Sequence, residues 1–138
     1  MERVVIDTNV FVAAGFNPRS AAARILDRVR DGCFQLVWNR PTRDETEMIL
    51  RRIPRLDWRN FANLFRPEGE FSGAVDPDAF AGIADRDDRK FAALSAAANA
   101  PLVTSDNHLL AHSNAIGIDI VTPHAFLMRD REAKDQTG

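Results

Sequence analysis

Two acids stand where a soluble domain has little structural use for them. Asp7 closes the apolar run Val4-Val5-Ile6, and Asp106 follows Leu102-Val103-Thr104-Ser105. Short apolar runs of this kind read as buried parallel strands, and their carboxyl ends form the edge at which open α/β sheets bind ligands. If the two strands are neighbours where strand order reverses, the carboxylates meet in one crevice. They then repel each other unless a cation lies between them. Two further groups can complete the cluster: Asp44-Glu45-Thr46-Glu47 in the first turns of a helix, and Asp85-Arg86-Asp87-Asp88 at the start of another. Taken singly, these acids also serve as N-caps or as partners of a helix dipole. Three or four carboxylates with no Cys or His cluster make a hard, all-oxygen site, suited to Mg²⁺ or Mn²⁺. His108, His112 and His124 lack the paired spacing of a zinc site. Thr8 and Asn9 read as turn formers, and Thr104 and Ser105 as caps of the helix that follows them.

The elements that must position these residues alternate between strand and helix. The sequence predicts strands at Arg3–Asp7, Phe34–Trp38, Pro101–Thr104 and Gly117–Val121. It predicts helices from Ser20 to Asp31-Gly32, from Pro41 to Pro54, around Trp58–Phe65, over Asp88–Asn99, over Asn107–Ala111 and over Pro123–Arg129. The stretch from Pro67 to Gly82 reads as a loop with room for a short edge strand. This alternation predicts an α/β fold of three layers with a mainly parallel sheet. The 138 residues fit one domain, placed at residues 1–128 and followed by a polar tail over 129–138.

The composition is that of a globular chain, and no apolar run reaches the length of a membrane span. The lone Cys33 and the absence of a signal-like start predict a cytoplasmic protein with no membrane partner. Net charge is −2, but residues 1–66 hold 12 Lys/Arg against 8 Asp/Glu, while residues 67–138 hold 6 against 12. One face for an anionic partner and another for cations is the physical reading of that asymmetry.

Four blocks, in order, resemble the PIN-domain nucleases. They are Val4-Val5-Ile6-Asp7-Thr8-Asn9-Val10-Phe11, Glu45-Thr46-Glu47-Met48-Ile49-Leu50, Asp85-Arg86-Asp87-Asp88-Arg89-Lys90-Phe91, and Val103-Thr104-Ser105-Asp106-Asn107-His108-Leu109-Leu110. The likeness spans residue 3 to about 127 and is greatest to the prokaryotic VapC-like toxins of toxin–antitoxin pairs. It implies a flavodoxin-like sheet of about five parallel strands, a Mg²⁺ or Mn²⁺ site, and hydrolysis of RNA phosphodiesters. By position it assigns Asp7, Glu45, Asp88 and Asp106 as metal-binding and catalytic acids. Glu47 competes with Glu45, and Asp85 or Asp87 with Asp88, while Asn9 and Ser105 match small polar residues that orient the carboxylates or a water. Many relatives carry an acid at the position of His108, so a second-metal role there is in doubt. Asp7 and Asp106 are the expected direct ligands, with Glu45 and Asp88 acting through water or on a second ion.

RNA binding needs a basic surface. Arg51, Arg52, Arg55, Arg59 and Arg66 are interleaved with Trp58, Phe61 and Phe65. The arginines could hold phosphates while the rings stack bases. The aromatics also fit helical spacing as core, and the same surface could receive an antitoxin segment or serve a homodimer. A receiver-like phosphotransfer domain and a PIN-like binding module without chemistry are the competing classes. The receiver class wants a lysine after a late strand, whereas the two lysines are Lys90 and Lys134.

Overall fold

The computed structural model describes residues 2–137. Its sheet has four parallel strands, β1 (Glu2–Ile6), β2 (Phe34–Leu36), β3 (Leu102–Val103) and β4 (Ile120–Val121), in the order β2-β1-β3-β4. Strand order reverses at β1, which has β2 on one side and β3 on the other. A reversal of this kind is where open α/β sheets bind ligands, and Asp7 stands there, between the carboxyl end of β1 and the next element.

The described residues form six α-helices: α1 (Thr8–Phe16), α2 (Ala21–Arg30), α3 (Arg40–Arg51), α4 (Arg86–Ala98), α5 (Asn107–Ile116) and α6 (Pro123–Thr137). Side chains of successive strand residues point to opposite faces. Val4, Ile6, Val103 and Val121 therefore join a core with α1, α2 and α6, whereas Val5, Leu102 and Ile120 join a second core with α4 and Leu109 of α5. Both faces are buried, which is why the strands read as unbroken apolar runs.

Four local outcomes differ from the sequence reading. Helix α1 is absent from that reading because Val10, Phe11 and Ala14 are all buried, leaving little polar face to give a period. The expected helix around Trp58–Phe65 is instead two tight 3₁₀ turns, Trp58–Asn60 and Ala62–Leu64, the first capped by the Asp57 carboxylate on the Arg59 amide. The sheet has four strands rather than about five. Within the expected loop, Glu70 makes only a single parallel bridge to Trp38. Gly69 permits it, since a Cβ there would strike the Leu36 carbonyl. Finally, α5 and α6 run past their expected ends, and Asp130 of α6 pairs with Arg28 of α2 at 3.0 Å.

Candidate active site

Backbone pairing brings the two strand-end acids together. The Asp7 amide donates to the Val103 carbonyl at 3.0 Å, which fixes Asp7 beside the end of β3. The Thr104 hydroxyl, fully buried, donates to Asp7 Oδ2 at 2.7 Å and accepts from the Asp106 amide at 3.0 Å. One side chain thus holds both acids in register. Asp106 in turn caps α5 by accepting from the His108 amide at 2.8 Å, so its direction is set by the start of a helix. Asn9 Oδ1 accepts a long 3.4 Å bond from the amide of exposed Ser105, tying α1 to the same turn.

Asp88, in the first turn of α4, completes the cluster. Burial and the charges of Asp7, Asp85 and Asp106 push its carboxyl up to about 7, and Asp106 lies within hydrogen-bonding reach of it. Asp7 is only 4% exposed, and its carboxyl is raised above the usual range by burial, opposed by the Thr104 hydroxyl and reinforced by the charge of Asp106. Asp85 caps α4 through the Asp87 amide at 2.9 Å and adds negative potential from outside. Crowding of this kind persists only where the surroundings enforce it, and it marks a site built to receive positive charge.

Glu45 and Glu47, two residues apart on α3, face different surroundings. Glu47 is bound on its own helix by Arg43 at 3.0 Å and Arg51 at 2.8 Å, and the Arg51 hydrogen bond holds its carboxyl below the usual range. Glu45 turns inward with a side chain 10% exposed and takes the Lys90 ammonium of α4 at 3.0 Å. Burial raises its carboxyl against the pull of Lys90. Lys90 also reaches Asp87 at 3.6 Å, which leaves Asp87 exposed on the Glu45 side of α4.

Two contributors escape sequence reasoning. Lys90 neutralises Glu45 across 45 residues of chain. Buried Thr46 shares a 2.9 Å hydroxyl contact with Thr8, locking α3 against the start of α1 immediately after Asp7.

The basic stretch is rearranged. Trp58 and Phe61 are buried, and the Phe65 ring packs 5.6 Å from Phe11, 5.9 Å from Trp38 and 5.5 Å from Trp58. These rings are core and cannot stack bases. Arg43 lies over Trp58 at 5.4 Å, Arg59 is paired with Asp57 at 2.9 Å, and Arg66 donates to the Arg30 carbonyl. Arg52 and Arg55 are exposed and have no ion-pair partner among the described residues.

The PIN domain family matches over residues 3–108, which include the acids of all four blocks. The chain belongs to the PIN-domain family. No curated protein matches it. PIN domains are generally nucleases, so an acid cluster at the carboxyl edge of the sheet is this PIN domain's candidate nuclease centre. No helix among the described residues is long and apolar enough to cross a membrane.

Among the described residues, no three His, Cys, Asp or Glu side chains are gathered tightly enough around one point to hold a metal ion. Asp7, Asp88 and Asp106 are neighbours rather than a closed ligand shell. Their chemistry nonetheless fits a hard divalent cation: the donors are all carboxylate oxygens, and among the described residues none of the three is in an ion pair.

Thr104 gives a direct test of this arrangement. Thr104→Val keeps the shape but strips the hydroxyl from Asp7 and from the Asp106 amide, with an expected cost of about 1–3 kcal/mol. Thr104→Ser should restore most of the loss. Urea melts of the three proteins check it, and a Val variant as stable as wild type would remove Thr104 from its bridging role.

Proposed function

We propose that this PIN domain hydrolyses RNA phosphodiester bonds with Mg²⁺ or Mn²⁺ and acts as the toxin of a cytoplasmic toxin–antitoxin pair. The observation that carries the chemistry is the crowding of Asp7, Asp88 and Asp106 at the end of β1 and β3, which leaves uncompensated negative charge at a ligand-binding edge. A divalent ion, when bound, supplies an activated water and offsets charge developing on the scissile phosphate. Asp7, Asp88 and Asp106 would hold it. Thr104 keeps Asp7 and Asp106 at fixed separation, so the backbone rather than long side chains sets the site. Asp88 ionises near neutrality, which makes it the acid whose proton competes most directly with a cation.

The deciding assay is cleavage of single-stranded RNA by purified protein. Cutting is expected with Mg²⁺ or Mn²⁺, is expected to stop on chelation, and is expected to be lost in Asp106→Asn. Equal cutting by wild type and Asp106→Asn would point to a contaminating nuclease and remove the proposal.

Arg52 and Arg55, exposed at the end of the helix that carries Glu45 and without an ion-pair partner among the described residues, are the cations we assign to the RNA backbone. Reversing both to Glu should weaken RNA binding and lower the slope of log affinity against log salt by roughly one to two, because each phosphate contact contributes about 0.7 for a single strand. An unchanged slope in fluorescence anisotropy would exclude them as phosphate contacts.

Support for an antitoxin partner lies on another surface. A cavity of about 510 Å³ opens between α1, α2 and the 3₁₀ turns, lined by Ala14, Gly15 and Leu26 together with Asp27, Arg30 and Arg59. Apolar and charged groups side by side suit an amphipathic peptide segment. Co-expression with the product of the adjoining reading frame, followed by co-purification, tests the pairing.

A further inference from the structure

The acids expected to share one centre fall into two groups. Asp7, Asp85 and Asp106 act on Asp88, whereas Lys90 and Asp87 act on Glu45. Helical geometry explains the division. Asp88 and Lys90 lie two residues apart on α4 and so point about 160° apart around the helix. Asp88 faces the strand-end acids, and Lys90 faces α3. The Lys90–Glu45 pair is well shielded, with side chains 25% and 10% exposed, and its 3.0 Å contact is that of a charge-assisted hydrogen bond. Asp87 at 3.6 Å gives the ammonium a second carboxylate. Two carboxylates converging on one point is an arrangement that a divalent ion would also satisfy.

We propose that Lys90 is a positioning residue whose ammonium occupies the place of a second cation, holding Glu45 and Asp87 away from the strand-end acids and limiting the centre to one divalent ion. This rests on the metal-dependent reading above. It makes Glu45 a partner of Lys90 rather than a metal ligand, and it gives the family's helical acid a different task in this chain. An ammonium carries one positive charge to share between two carboxylates, yet it exchanges no water and activates none. Substituting it for an ion therefore leaves the chemistry to the Asp7–Asp88–Asp106 group.

The test is calorimetric titration of the full chain with Mn²⁺ in four forms: wild type, Lys90→Met, Lys90→Arg, and Lys90→Met combined with Glu45→Gln. Met keeps the length of the side chain without its charge, and circular dichroism confirms that each form is folded. Wild type and Lys90→Arg are expected to bind one ion. Lys90→Met is expected to bind two, and the double variant to return to one, which places the added ion on Glu45. Two ions in wild type, or one ion in Lys90→Met, would overturn the assignment while leaving metal dependence intact. No Mn²⁺ binding by wild type would instead sink the metal-dependent reading itself, and this proposal with it.

Discussion

Asp7→Asn is expected to abolish divalent-ion binding and RNA cleavage while leaving the ion-free protein as stable as, or more stable than, wild type. The two effects have opposite signs because one carboxylate serves two masters. It is almost wholly buried beside Asp106 and Asp88, so its charge is a burden on the folded chain until a cation arrives. Asn keeps an oxygen that can accept from Thr104, so the 2.7 Å hydrogen bond of the native site has a substitute. What is lost is the negative charge, and with it a drop in cleavage rate of about 10²-fold or more. Thermal melts with and without Mn²⁺, run beside the RNA assay, check both halves. An Asn variant that unfolds, or one that still melts higher with Mn²⁺, would show that Asp7 serves the fold and not the ion.

The second large effect is a fall in stability as pH rises. Asp88 ionises at about 7 in the folded protein against 3.8 for the ordinary carboxyl. Between those values the folded state keeps a proton that the unfolded chain has released, so each step up in pH favours unfolding, and the loss is complete above about pH 7. Undiluted, such a shift is worth about 4 kcal/mol. Asp88 is partly exposed, and screening by solvent brings the expected loss to about 1–2 kcal/mol. About two thirds of that loss falls between pH 5 and pH 7.5, which in a chain of this size is roughly 2–5 °C in Tm. The raised carboxyls of Asp7 and Glu45 act in the same direction, while those of Glu47 and Asp57 are lowered and act in the opposite direction below pH 4. Mn²⁺ binds the ionised acids, so its stabilisation should grow over the same window. Asp88→Asn should flatten the ion-free profile. A wild-type Tm that holds or rises from pH 5 to 7.5 without metal would contradict the crowded-acid reading.

Much of this site was legible because it sits on backbone features that sequence encodes locally. Asp7 and Asp106 each end an apolar strand, and strand ends at a point of reversed order are a place defined by topology rather than by side-chain detail. The competition between Glu45 and Glu47 could not be decided the same way. The run Met48-Ile49-Leu50 leaves the inward face of α3 ambiguous, and it is Thr42, Thr46 and Leu50 that are buried. Their spacing of four turns Glu45 toward α4 and leaves Glu47 to its arginine neighbours. Lys90 was invisible as a partner because its carboxylate lies on another helix, and charge pairs across such distances leave no periodic trace. The aromatic residues from Trp58 to Phe65 misled for a related reason. Their spacing fits a helix, but they reach the core from tight turns that a period of 3.6 does not describe. Burial then removed the rings from any base-stacking role.

The bond from Thr104 to Asp7 spans 97 positions. During synthesis, residue 7 emerges early and its strand can pair with β2, yet its other edge stays open until Leu102–Val103 arrive. Asp106 and the hydroxyl that aligns both acids come later still. A nascent chain therefore carries the separate acids of the site without the assembled cluster for most of its translation. Closing the middle of the sheet last makes folding slower, as long-range pairing generally does. In exchange, the step that completes the hydrophobic layer on both faces of β1 is the same step that assembles the acid cluster, so a chain cut short before β3 lacks it.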